Sequence, residues 1–295
     1  MKNNIFKAKN SAAISVFSNL RYKFKNEINT LFNAILIFVP FLFSSCEKVI
    51  ELDLNSKNAQ IVIEANISNM NEPAIVKLIK TVNYDDVNSF PSVTDATVIL
   101  SDNIGNVETL IETSAGIYKS TSIQGTEGRT YTLKVNVNGK EYTSVSTMNS
   151  PVEINNLYIS TISLPKGKQK MVSLKYNDTK GVANYYRIVE ILNNDTLPTI
   201  FIEDDLKQDG ETIDMTLLAK RQNEVKLKTG DSVKVQLQSV DKNVYDYFRT
   251  LLQLVGGGGL INQSTSPANP ISNFDNGALG YFNAYSVSEK SIVVK

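Results

Sequence analysis

Not one of the 295 residues is a histidine. That absence removes Ser-His-Asp and Cys-His catalysis together with the commonest metal ligand, and zinc loses its usual partners. Cysteine occurs once, at Cys46, so no internal disulfide can form and the fold must be held by its apolar core. Long apolar runs are missing as well. The most hydrophobic stretch, LFNAILIFVPFLF at 31–43, is 13 residues long and is interrupted by Asn33 and Pro40, whereas a membrane-spanning helix needs roughly 20 apolar residues.

Lys2, Lys7, Lys9, Arg21, Lys23 and Lys25 stand ahead of that stretch, against the single acid Glu27. This is a basic n-region feeding a short h-region, a secretion signal rather than an anchor, on a leader of 30 residues that is long for its kind. Leu42-Phe43-Ser44-Ser45-Cys46 follows at once. It resembles a lipobox, in which small residues precede a cysteine that is diacylated on sulfur and becomes the mature N-terminus; Phe43 departs from the usual aliphatic residue. A lone cysteine elsewhere would read as a small buried hydrophobe. At the exit of an h-region, Cys46 reads as the lipid attachment site, with 1–45 removed.

Processing there takes six basic groups and one acidic group from a balanced 30 and 30, leaving 24 and 29, a net charge near −5. A mildly acidic body without a basic patch is not built to grip phosphates, so nucleic acid is excluded as a partner. The 250 residues from 46 to 295 suffice for one large or two modest domains.

Residues 46–59 read as a lipidated tether, with Val49, Ile50, Leu52 and Leu54 able to start a first strand. From residue 60 the pattern is short strand, turn, short strand: 60–68, 74–82, 96–102, 116–122, then TYTLKVNV and KEYTSVSTM, all rich in Val, Ile, Thr and Tyr. Asn138-Gly139 between the last two runs suits a type I′ turn, which predicts a β-hairpin over 130–148 with Val135 opposite Tyr142. Regular spacing without helical periodicity predicts an immunoglobulin-like β-sandwich over 60–150. Pro151 opens a second, β-rich domain over 151–295, with strands at 170–177, 184–192, 198–202, 211–218, 231–239 and 285–294. One amphipathic helix is expected at 241–255. Asp241 is its N-cap, and Val244, Tyr247, Phe248, Leu251, Leu252 and Val255 form one apolar stripe. Four glycines from Gly256 to Gly259 end it, and 256–280 reads as a long loop.

Candidate chemistry is sparse. Asp205, Asp209 and Gly210 match three positions of an EF-hand loop, but Lys207 takes the third ligand position and Thr216 that of the bidentate glutamate, so a solvated acidic turn is expected and no metal. Ser239-Val240-Asp241-Lys242, Ser101-Asp102-Asn103 and Lys228-Thr229-Gly230 look like the triplets of a penicillin-binding serine site. Their order along the chain is rotated and the helix-rich context is missing, so they read as strand ends, turns and a cap. No carboxylate pair stands out for glycoside hydrolysis, and Glu203-Asp204-Asp205 reads as a solvated strand end. Tyr185, Tyr186, Tyr245, Tyr247, Tyr281, Phe282 and Tyr285 are either a stacking surface or core packing.

The C-terminal residues Ala268-Asn269-Pro270, Asn273-Phe274-Asp275-Asn276-Gly277-Ala278-Leu279-Gly280-Tyr281-Phe282 and Ala284-Tyr285-Ser286-Val287 are more particular than composition alone would produce. They resemble the end of a family of Bacteroidota lipoproteins catalogued as domain of unknown function 4249. Cys46 to Leu54 is similar to that family's start, and Gly230-Asp231-Ser232-Val233 leading to Tyr245-Asp246-Tyr247 to its strand-then-helix element. The resemblance implies a lipoprotein of the outer membrane, often encoded beside TonB-dependent transporters, with no established activity.

The expectation is therefore a mainly β, non-enzymatic accessory or binding lipoprotein, surface-exposed and without a cofactor. Cys46 would carry the lipid, and Asn276, Gly277, Tyr281 and Phe282 are the candidate surface for a ligand or a TonB-dependent transporter. Gly277 and Gly280 would permit sharp turns, and Tyr281 and Phe282 would point to opposite faces if they begin the last strand. A surface hydrolase acting on glycans through acidic residues, or a structural or adhesive protein, are the competing readings.

Overall fold

A computed structural model describes residues 59–82, 90–164, 167–218, 226–255 and 269–295. Cys46, the leader, the tether up to residue 58 and the part of the expected loop from 256 to 268 lie outside the described residues. Strands take 54% of the structure and helix 7%, which places the chain in the mainly β class that its runs of Val, Ile, Thr and Tyr predict. No helix among the described residues is long and apolar enough to cross a membrane.

The elements are β1 (Ile61–Ser68), β2 (Ile75–Lys80), β3 (Thr97–Asp102), β4 (Val107–Thr109), β5 (Ile111–Ser114), β6 (Ile117–Lys119), β7 (Thr130–Val137), β8 (Lys140–Thr147), β9 (Ile154–Leu164), β10 (Gly167–Asn177), β11 (Tyr185–Leu192), β12 (Asp195–Thr196), β13 (Phe201–Asp204), β14 (Thr212–Thr216), β15 (Ser232–Val240), α1 (Lys242–Val255) and β16 (Leu279–Val293). A nine-stranded sheet runs β12-β11-β15-β16-β1-β2-β6-β5, with β13 also paired to β11; β14-β10-β9 and β4-β3-β7-β8 form two smaller sheets.

The β7–β8 hairpin is the one predicted. Asn138 and Gly139 turn with φ of 52° and 81°, and Val135 pairs with Tyr142. Positive φ at both positions is what a type I′ turn demands, and it sets the register of both strands.

Two apolar cores follow from the strand alternation. Ile63, Leu78, Leu100, Tyr131 and Leu133 are buried in the first, and Leu174, Tyr176, Tyr186, Val235 and Leu237 in the second. The division near residue 150 separates these cores but not the chain's last strand. β16 runs parallel to β1 over Leu279–Tyr285 and antiparallel to β15 over Ser286–Val293, so residues 60–150 complete the first sandwich only with a strand from the far end of the sequence. Phe282 and Ala284 enter the first core, and Ser288, of the same parity, donates its hydroxyl to the carbonyl of Val152 beside the second. Both small sheets therefore cover one face of the long sheet.

Gly280 makes the β1–β16 pairing possible. Its φ is 95°, and a Cβ there would fall 2.0 Å from the Ile63 carbonyl oxygen. The final strand thus begins at Leu279, six residues before the expected 285, because the turn through Asn276 and Gly277 (φ 52° and 77°) delivers the chain directly alongside β1.

α1 lies on the other face, with Val244, Tyr247 and Phe248 buried. Asp241 caps it, accepting from the Val244 N–H at 2.9 Å. The apolar stripe extends further than its packing does. Leu252 is 38% exposed and Val255 65% exposed, so only the first turns do the covering. β4, β5 and β12 escaped the sequence pattern because each is four residues or shorter and largely polar.

Candidate functional site

Alternation along YYRIVEIL of β11 sends Tyr186 and Ile188 into the second core and leaves Arg187, Val189 and Ile191 on the opposite face. There they line a cavity of about 340 Å³ with Gln236 and Gln238 of β15, Tyr281 and Tyr285 of β16, Asn66 and Ser68 of β1, Glu72, Pro73, Ile75 and Thr196. Ligand sites usually measure roughly 300–1,000 Å³, so this cleft suits a small molecule.

Arg187 is held from two sides. Its Nη1 donates to Gln238 Oε1 at 3.0 Å, Gln238 Nε2 donates to Gln236 Oε1 at 3.1 Å, and Gln236 Nε2 donates to the Glu289 carboxylate at 2.6 Å. Its guanidinium carbon lies 4.4 Å from the centre of the Phe248 ring. Phe248 is itself wedged between Tyr247 at 5.3 Å and Tyr281 at 5.0 Å between ring centres. The cation therefore rests on an aromatic platform built by α1 and β16.

No ion pair joins Arg187 to a carboxylate among the described residues. Burial pushes its pKa down while the Tyr281 and Tyr285 phenols draw it back; a guanidinium stays charged regardless. Burial raises the Tyr281 phenol and, with the Glu72 carboxylate adding to it, pushes Tyr285 up to about 12. Both hydroxyls are thus protonated at neutral pH and can donate. A partly buried cation beside protonated phenols can receive a negative group.

A larger depression of about 540 Å³ lies between Thr143–Val145 of β8, Asn243 and Asp246 of α1, and Ile271–Asp275. Its two carboxylates are already occupied. Asp246 pairs with Lys242 and with Arg249, and Asp275 accepts from the Thr143 N–H at 2.6 Å.

The residues singled out in the sequence go to different places. Tyr281 lines the cleft, whereas Phe282, its neighbour on the opposite face, is 1% exposed in the first core. Asn276 donates to the Glu141 carbonyl at 2.9 Å, and Gly277 completes the turn beside it, so this pair fastens the C-terminal segment to β8. Tyr185 meets Tyr245 of α1 at 5.1 Å between ring centres with the rings tilted by 41°, and Tyr186 packs against Tyr176 in the second core.

The acidic turn is not simply solvated. Asp178 joins Asp205 and Asp209, with carboxylate oxygens of all three within 4.8 Å of one another, and Asp178 and Asp205 are buried. Chain N–H groups account for this: Gly210 donates to Asp178 at 2.8 Å, Asn184 to Asp205 at 2.9 Å and Gly181 to Asp209 at 2.6 Å, while the Tyr186 hydroxyl also donates to Asp178. Asp204, likewise assigned to a solvated strand end, accepts from the Tyr245 hydroxyl at 2.7 Å.

Two of the three penicillin-site triplets contain carboxylates with structural roles. Asp102 accepts from the Ile104 and Asn106 N–H groups and pairs with Arg129 at 3.0 Å, and Asp241 caps α1. Arg187, Gln236 and Gln238 were not found from the sequence. The signal on β15 was Lys234, Gln236 and Gln238 alternating with Val and Leu; on β11 it was no more than a lone Arg187 in an otherwise mostly apolar strand.

The family model described as Domain of unknown function (DUF4249) matches residues 47–291. The chain belongs to this family. No curated protein matches it. The DUF4249 match spans both sandwiches and α1, and so includes every residue that lines the Arg187 cleft.

Proposed function

We propose that this DUF4249 protein is a lipid-anchored binding lipoprotein of the Bacteroidota outer membrane, non-enzymatic, working beside a TonB-dependent transporter. The basic leader, the short apolar run and Cys46 support the anchor. The family resemblance supports the location and the company of a transporter. The single observation that carries a binding role is Arg187, a cation held on Phe248 in a small-molecule-sized cleft without a carboxylate partner among the described residues. Among the described residues one carboxylate, Glu72, lines that cleft, whereas glycoside hydrolysis uses two.

The test is a mild-detergent pull-down of tagged protein from native outer membranes, with Cys46→Ala as control and mass spectrometry as readout. Recovery of a transporter with the wild type alone supports the anchored accessory. Recovery of none in either sample overturns that association.

A further inference from the structure

Two side chains of opposite charge line the cleft, and among the described residues neither forms an ion pair. Arg187 sits on the sheet, aligned by Gln238. Glu72 is exposed at the rim, where its carboxylate accepts from the Ser68 hydroxyl at 3.1 Å. Tyr285 lies within the field of both, since Glu72 draws its phenol upward and Arg187 downward. The cleft lining therefore carries one positive and one negative group, together with the Tyr285 ring and an apolar wall supplied by Val189 and Ile191.

We infer that this cleft binds a small zwitterion of the amino-acid type, its carboxylate on Arg187 and its ammonium toward Glu72. The chemistry selects against the alternatives. A dianion such as phosphate would meet one cation and one repelling carboxylate. A neutral ligand would leave the guanidinium desolvated and unmatched. A planar carboxylate fits the guanidinium fork, and an ammonium gains from a carboxylate and from aromatic faces alike. A cavity of about 340 Å³ accommodates a free amino acid or a short peptide, which share both charged ends. This inference rests on the binding role proposed above.

The test is isothermal titration of the full-length protein in detergent with alanine, dialanine and trialanine. N-acetyl-alanine, which lacks the ammonium, and alanine amide, which lacks the carboxylate, are the capped controls. The zwitterions are expected to bind and each capped form to bind at least tenfold more weakly; preference for alanine identifies free amino acids, and preference for the longer forms identifies peptides. Gln238→Glu, which places a carboxylate against Arg187 without removing its packing on Phe248, is expected to weaken zwitterion binding at least tenfold. Glu72→Gln at the exposed rim should weaken the zwitterions while leaving N-acetyl-alanine unchanged. Equal binding of capped and uncapped forms, or no heat from any of the three zwitterions with folding verified by circular dichroism, overturns the inference. The pull-down reports on the transporter and the titration on the cleft, so either can fail without the other.

Discussion

The Ser146 hydroxyl of β8 donates to the carboxylate of Asp241, 95 residues further along the chain. The other oxygen of that carboxylate accepts from the Val244 N–H. One side chain thus caps α1, which carries Phe248, and ties it to β8 of the first sandwich.

Asp241→Ala should destabilise the protein by about 1–2 kcal/mol, the usual worth of a lost N-cap with an added buried bond. In a body of this size that lowers the Tm by roughly 2–8 °C. Asp241→Asn keeps a capping oxygen and should lose less. Thermal unfolding followed by circular dichroism checks both, and equal losses for the two variants would show that capping is not what Asp241 contributes.

Gly280→Ala should be far more damaging than Gly277→Ala. Both have positive φ, but the new methyl at 280 collides with the Ile63 carbonyl, while nothing lies within 4 Å of a Cβ at 277. The backbone cost alone is about 1–2 kcal/mol at either position. At Gly280 the separation of β1 from β16 adds to it, with an expected total on the order of 3 kcal/mol or more. Urea midpoints of the two variants give the comparison.

Glu108 should make the fold acid-sensitive. Burial works upward on its carboxyl, but the N–H groups of Ile123 and Thr121 and the hydroxyls of Thr121 and Ser122 outweigh it and hold the pKa at about 2, down from 4.5. Between those values the unfolded chain binds the proton and the folded chain does not. The contribution is therefore complete above pH 4.5 and is lost as the pH falls toward 2. Glu108→Gln should be less stable than wild type at pH 7, and the gap should narrow as the pH drops through that window. A gap that stays constant from neutral to acid pH would contradict the assignment.

Much of the local structure was legible because it depends on neighbouring residues. Asn138-Gly139 set the hairpin and its register, Asp241 and the following apolar spacing set α1, and runs of Val, Ile, Thr and Tyr marked twelve of the strands among the described residues. The signal expected around Cys46 is also a local reading, since charge and apolar length are properties of a segment, but it lies outside the described residues. The cleft was not legible. Arg187, Gln238, Tyr285 and Glu72 come from separate strands and a loop, and only sheet order decides that they share a face.

By itself, then, the sequence determined the mainly β class, the turn and cap positions, the absence of histidine and disulfide chemistry, and the family. Tertiary structure alone decided that β16 returns to pair with β1, that two sandwiches share one long sheet, and that Arg187 lies on Phe248 instead of on a carboxylate. The physical reason is range. Turn geometry, capping and periodicity act within a few residues, whereas strand pairing across more than 200 positions and the matching of a buried charge depend on contacts that no local pattern encodes.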